Sequence, residues 1–164
     1  MNRLLSKLIA ASCAILTAVQ TSGAATHTWT GGGTTAYWSD AANWDASNPP
    51  QPGESGAGLI FPSGSLRLSS TNDLPGLAIA QLAFAGANYV LNGTNALILS
   101  HTMGDSIIAT GNSNQVAIPL ILQASNSFSI GTNASLSLSG QLSGPGAFTL
   151  RGSGLPGTGT LGRR

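Results

Sequence analysis

After Lys7 the sequence contains no lysine, and its one cysteine, Cys13, lies close to the start. Charged residues make up 7% of the 164 positions and aromatics 5%. Each scarcity excludes something. With no cysteine beyond residue 13, neither a disulfide framework nor a thiolate zinc site is available to the rest of the chain. With no lysine there, and only Arg67, Arg151, Arg163 and Arg164 as bases, the cluster that would neutralise phosphates is missing, which sets a nucleic-acid partner aside. Asp40, Asp45, Glu54, Asp73 and Asp105 balance those arginines, so this part is nearly neutral. Sustained helical periodicity is lacking as well. With 22 Gly and 8 Pro, no stretch past residue 25 reads as a bundle helix. Yet 41% of residues are hydrophobic, enough to build a core.

The N-terminus reads as a leader. Arg3 and Lys7 form a short basic region, Leu8 to Val19 an apolar run, and Ser22 and Ala24 an A-x-A type cleavage site. Residues 1–24 are therefore expected to be a signal peptide, with cleavage after Ala24 or, alternatively, Ala25. The apolar run is too short for a comfortable membrane span, and no span is expected in the mature chain. Lipidation at Cys13 competes, because "AASC" ends in suitable small residues, but the apolar run continues past it as "AILTAV". The chain is expected to be exported, to the cell surface, the outer membrane or the medium.

From residue 45 to 58, "DASNPPQPGESGAG" is an irregular loop. Beyond it one habit repeats: three to six apolar or alternating residues, then a Gly, Asn, Ser or Thr turn. "LIFP", "LRLSS", "AIAQLAF", "YVL", "LILS", "SIIA", "VAIPLIL", "SFSI", "SLSLS" and "AFTL" read as strands with one buried face. "NGTNALILS" aligns with "IGTNASLSLS", placing Asn95 and Asn133 38 residues apart with Asn114 midway. A spacing of about 19 residues suits one coil of a parallel β-solenoid, and a β-sandwich is the alternative. Small uncharged Ser, Thr and Asn suit outward ladders, where stacked like charges would repel. The expected division is residues 1–24 as leader, 25–64 as an aromatic N-terminal cap and loop, and 65–164 as coils with a Gly-rich end.

"TWTGGGTTAYWSDAANWD" (28–45) holds all three tryptophans and one of two tyrosines. A solenoid end needs covering, and Trp29, Trp38 and Trp44 precede the first regular coil. Burying one such ring removes on the order of 200 Å² from water, an upper estimate of roughly 5 kcal/mol. The rival reading is a carbohydrate-binding platform made by Trp29, Tyr37, Trp38 and Trp44, since exposed rings stack on sugar faces.

The segments "WTGGGTTAYWSDAANWD", "LAIAQLAFAGANYVLNGTNALILS" and "NQVAIPLILQASNSFSIGTNASLSLSGQLSGPGAFTLRGSG" together resemble the start of bacterial autotransporter-associated β-strand repeat proteins. The opening is similar through Trp29, Gly31–Gly33, Trp38, Asp40, Asn43 and Trp44, and the repeat through Leu138 to Gly154. The resemblance implies a right-handed β-helical passenger at or beyond the outer surface, with a structural or adhesive role. Surface glycans or other passenger coils are the expected partners. Arg151 stands where these repeats commonly carry lysine, and "LPGTGTLGRR" replaces the expected next strand, so a truncated piece of a longer passenger is expected.

Catalytic chemistry finds little footing. "GSGLPG" and "GTGTLG" both match G-x-G-x-x-G, but in a Gly-rich tail with no helix or later acid the pattern is a turn signature. Asp40, Asn43 and Asp45 offer oxygens to Ca²⁺ but are too few for a site on one loop; capping or Asx-turn hydrogen bonds are the alternative. Asp73 and Asp105 share no spacing that implies a glycosidase pair. His27 and His101 are isolated in sequence. No cofactor, metal or catalytic residue is expected, and the protein reads as non-enzymatic. A degraded polysaccharide-active solenoid is the remaining enzymatic reading.

Overall fold

The computed structural model describes residues 25–100 and 104–152. The expected leader, His101 and the Gly-rich tail from residue 153 lie outside the described residues. Thirteen strands follow in chain order: β1 (Thr26–Thr28), β2 (Ser55–Phe61), β3 (Ser69–Thr71), β4 (Ala78–Phe84), β5 (Val90–Asn92), β6 (Leu97–Leu99), β7 (Ile107–Ala109), β8 (Asn114–Val116), β9 (Leu120–Leu122), β10 (Asn126–Ile130), β11 (Leu136–Leu138), β12 (Leu142–Ser143) and β13 (Phe148–Gly152). Every strand pairing among them is parallel. Strands this short, joined by corners and stacked in parallel, form a β-solenoid of about four turns.

The coils have three faces. One stacks the start of β4 with β6, β9 and β12. A second stacks β1, β2, the end of β4, β7, β10 and β13. The third stacks β3, β5, β8 and β11. In β2 and in the short strands β5 to β9, alternate side chains enter the core. His27, Leu59, Leu82, Ile107, Phe128 and Leu150 form one inward column. Outside, Ser69, Val90, Gln115 and Ser137 form a column on the third face, and Gln115 Nε2 donates to Ser139 Oγ at 3.0 Å. This column is uncharged, whereas the outward column of the second face, Thr28, Ile60, Ala83, Ile108, Ser129 and Arg151, carries isoleucines and ends on an arginine.

The coil is longer than the expected 19 residues. Asn114 stacks on Leu136 and Leu120 on Leu142, both 22 residues on, and from β2 onward the other registers range from 20 to 25. The aligned segments slipped by a face: "LIL" at 97–99 belongs to the first face and "LSL" at 136–138 to the third. "VAIPLIL" likewise divides, with Pro119 in the corner between β8 and β9. The stack also starts before residue 65, since β2 already pairs with β4.

Corners are closed by buried asparagine. Asn114 Oδ1 accepts from the Tyr89 amide at 2.9 Å, and its Nδ2 donates to the Gly86 and Gly111 carbonyls at 3.0 Å. Asn72 joins the Leu74 amide to the Asn95 carbonyl in the same way. Such groups tie neighbouring coils together where backbone pairing lapses, and no buried side-chain polar atom among the described residues lacks a partner. At the Gly111 corner the stacked backbones meet so closely that a Cβ would lie 1.9 Å from the Gly86 oxygen. Only glycine fits there.

Candidate functional site

The tryptophan segment crosses the N-terminal end of the stack. Trp29 continues the ladder of the second face, its amide donating to the Ile60 carbonyl at 2.8 Å. Tyr37 and Trp38 lie beneath β3, where the Trp38 amide donates to the Thr71 carbonyl at 3.0 Å. After Trp38, Ala41–Asn43 forms one 3-10 turn and Asp45–Ser47 another, with Trp44 at the junction. Trp29 and Trp38 have no exposed surface and Trp44 has 2%. Trp44 is the hub, packing edge-on against Trp29 at 5.2 Å, Trp38 at 6.0 Å and His27 at 6.1 Å. Phe61 covers it from the first coil, and Phe84 and Tyr89 extend the aromatic stack upward.

Each indole N–H also has an acceptor: Trp29 donates to the Arg67 carbonyl at 2.7 Å, Trp38 to Ser70 Oγ at 3.0 Å and Trp44 to the Trp38 carbonyl at 2.8 Å. The cluster is a plug with both its apolar and its polar parts satisfied. Of the four aromatic residues that would form a sugar platform, Tyr37 alone is open, at 50% exposure. The three indoles offer no face for stacking on a ring while the plug is closed.

The glycine triplet serves the plug. Gly31 adopts a φ of +68°, and a Cβ there would meet the Arg67 amide at 2.5 Å. A Cβ on Gly33 would strike Asp40 Oδ2 at 2.5 Å and Asn43 Oδ1 at 2.8 Å. Those two side chains hold the loop around the triplet. Asn43, fully buried, accepts from the Gly33 amide at 2.9 Å and donates to the Thr35 and Tyr37 carbonyls. Asp40 accepts from the Thr35 hydroxyl at 2.9 Å and amide at 3.2 Å, and caps the 3-10 turn through the Ala42 amide. The Thr35 hydroxyl, with support from the amides, holds the Asp40 carboxyl below the usual carboxylate range.

The side-chain oxygens of Asp40, Asn43 and Asp45 are thus engaged by the loop itself, with Asp45 accepting from the Ala46 amide at 3.0 Å. Other acids are similarly bound. Asp73 accepts from the Ser39 amide and hydroxyl, and Asp105 from Ser127 Oγ at 2.6 Å. Asp73 and Asp105 have separate partners and form no pair. Arg67 reaches the Gly33 carbonyl at 3.3 Å.

One polar pair was invisible in the sequence. His27, buried under the plug, faces the Asn48 carbonyl through Nδ1 at 2.9 Å and Glu54 Oε1 through Nε2 at 3.0 Å. The Asn48 carbonyl can only accept, so Nδ1 donates in that hydrogen bond. Glu54 also accepts from the Gln51 amide at 2.8 Å. The pair clasps β1 to the Pro-rich loop. Twenty-seven residues separate its members, and no local pattern marks either one.

Among the described residues no group of three or more His, Cys, Asp or Glu side chains could hold a metal ion, and no helix is long and apolar enough to cross a membrane. No family model, curated protein or solved structure matches the chain.

Proposed function

We propose that the protein is a non-enzymatic, exported β-solenoid module with a structural or adhesive role at the cell surface or outside the cell, akin to the opening part of an autotransporter-associated repeat passenger. One observation carries this reading. The outward columns of the paired strands carry small polar and aliphatic side chains with a single charge, Arg151, while all five acids are tied into hydrogen bonds with neighbouring amides, hydroxyls or His27. That arrangement suits a rigid, regular surface better than proton transfer, which needs acid and base groups converging on free space. The leader pattern supports export, and the Trp plug supports an N-terminal end of a stack.

The test is fractionation of the producing cell with N-terminal sequencing of the product. The reading expects a chain beginning at Ala25 or Thr26, outside the cytoplasm and accessible to added protease on whole cells or in the medium. Deleting the gene should lower attachment or weaken the surface layer. Recovery of the chain in the cytoplasm with residues 1–24 intact would overturn it.

A further inference from the structure

One contact beneath the Trp plug depends on a proton. The His27 side chain is 2% exposed and stands edge-on to the Trp44 ring at 6.1 Å. Its Nδ1 donates to the Asn48 carbonyl at 2.9 Å. Its Nε2 then meets Glu54 Oε1, 3.0 Å away, through one proton, carried either by an imidazolium or by a carboxylic acid. Without that proton an imidazole lone pair faces a carboxylate where the ring has almost no contact with water. No other charge stands by to compensate. β2 sets Leu59 beside His27 and has no titratable residue in its span, and the plug presents the Trp44 ring. The turn Asp45–Ser47 brings Asp45, whose carboxylate accepts from the Ala46 amide, and the loop that follows brings Glu54 alone.

The segment that this pair holds is strained. Ala46 and Ser47, in succession, have φ of +51° and +53°, the left-handed region that residues with a Cβ rarely adopt. Both are exposed, as is Asn48, so packing does little to hold them there. The far end of the loop is fixed independently: the Gly53 amide donates to the Pro75 carbonyl at 2.9 Å and the Ala78 amide to the Glu54 carbonyl at 2.8 Å. The near end is held by turn bonds from Ser47 and Asn48 back to Trp44 and Asp45, and across the chain by the Asn48 carbonyl on His27.

We propose that His27 and Glu54 are a proton-operated latch: with a proton between them the strained segment Ala46–Asn48 is held against the Trp plug, and without it the segment swings away from the ring. The closed state requires the proton and the open state does not, so the latch is closed at low pH and opens as pH rises. The cover of the solenoid end thereby responds to the pH around the protein.

The test is digestion of the folded full chain by subtilisin, a protease of broad specificity, across a pH series. Each rate is divided by the rate on an unfolded peptide at the same pH. The series runs from about pH 5 to about pH 9, which spans the charge change of an ordinary histidine. It lies between the acid step of Asp40 and the alkaline step of Tyr89. Cleavage within residues 46–50 should rise about tenfold or more across it, the factor that one hydrogen bond to a charged group contributes. Tryptophan emission should shift with the same midpoint. Glu54→Gln keeps the contact without titrating, because its amide donates to a neutral Nε2 while its oxygen accepts from the Gln51 amide. Its cleavage should therefore stay low and flat. His27→Phe has neither donor and should be cut fast at every pH. Flat cleavage and emission in the parent would overturn the proposal. So would a Glu54→Gln chain that keeps the parent's pH step, whether or not His27→Phe folds.

Discussion

Replacing Trp44 by alanine removes the ring that touches His27, Trp29, Trp38 and Phe61 at once. Truncating a buried tryptophan costs about 3–5 kcal/mol. The Trp38 carbonyl also loses the indole donor at 2.8 Å, which adds about 1 kcal/mol or more if no water replaces it. Against a total stability of about 5–15 kcal/mol for an ordinary domain, that is a large fraction. With a urea dependence of about 2 kcal/mol per M, the unfolding midpoint should fall by about 2 M. Trp44→Phe keeps most of the ring contact and loses the N–H, so it should fall between the parent and alanine.

The assay is a urea titration read two ways. Every tryptophan of the chain lies in the plug, so emission reports the N-terminal end, while far-UV dichroism reports the coils. Parent and variant should each show the two signals shifting together if the plug holds the stack closed. A Trp44→Ala midpoint within about 0.5 kcal/mol of the parent, the range of ordinary surface changes, would refute the plug. Loss of glycan binding with unchanged stability would return the rings to the surface platform.

Gly111→Ala should destabilise by at least 1–3 kcal/mol, the range for overpacking, because the clash is with the Gly86 backbone and not with a movable side-chain tip; a thermal midpoint equal to the parent's would contradict that packing. Asp40, with its carboxyl held low by Thr35, contributes stability that is present above the unfolded value of about 3.9 and lost as pH falls through the lower folded value. Tryptophan emission should therefore shift red on acidification below about pH 4, less steeply in Asp40→Ala. Tyr89 is the opposite case: burial raises its phenol, whose hydroxyl donates to the Pro62 carbonyl at 2.6 Å. Its contribution is full below about pH 10 and is lost as pH rises through the folded value, so Tyr89→Phe should lack that alkaline step and cost about 1 kcal/mol at neutral pH.

Much of the strand pattern was legible because period-two alternation and Gly or Asn corners are local signals. "AIAQLAF" became β4 and "SIIA" became β7 within a residue. The coil length was not, because each face turns with the same chemistry. Asn95, Asn114 and Asn133 look equivalent, yet they do different work. Asn114 is buried and bridges two coils, Asn95 lends its carbonyl to Asn72, and Asn133 supplies a φ of +60°. β1 was missed since three residues after a leader carry no period, and β12 since two residues cannot show one. The Trp plug was legible from composition and position, whereas the His27–Glu54 clasp depends on a loop path that only the fold reveals.

The central claim is a parallel stack with coils of about 22 residues, and paired cysteines test it most directly. With Cys13 replaced by serine, Gln115→Cys and Ser137→Cys stand on neighbouring coils in register, about 4.8 Å apart across parallel strands and within reach of a disulfide. Thr94→Cys with Ser113→Cys is the matching pair for a 19-residue coil. The structure predicts rapid intramolecular bridging of the 115–137 pair and none of the 94–113 pair. Bridging of the second pair without the first would contradict the stacking described above.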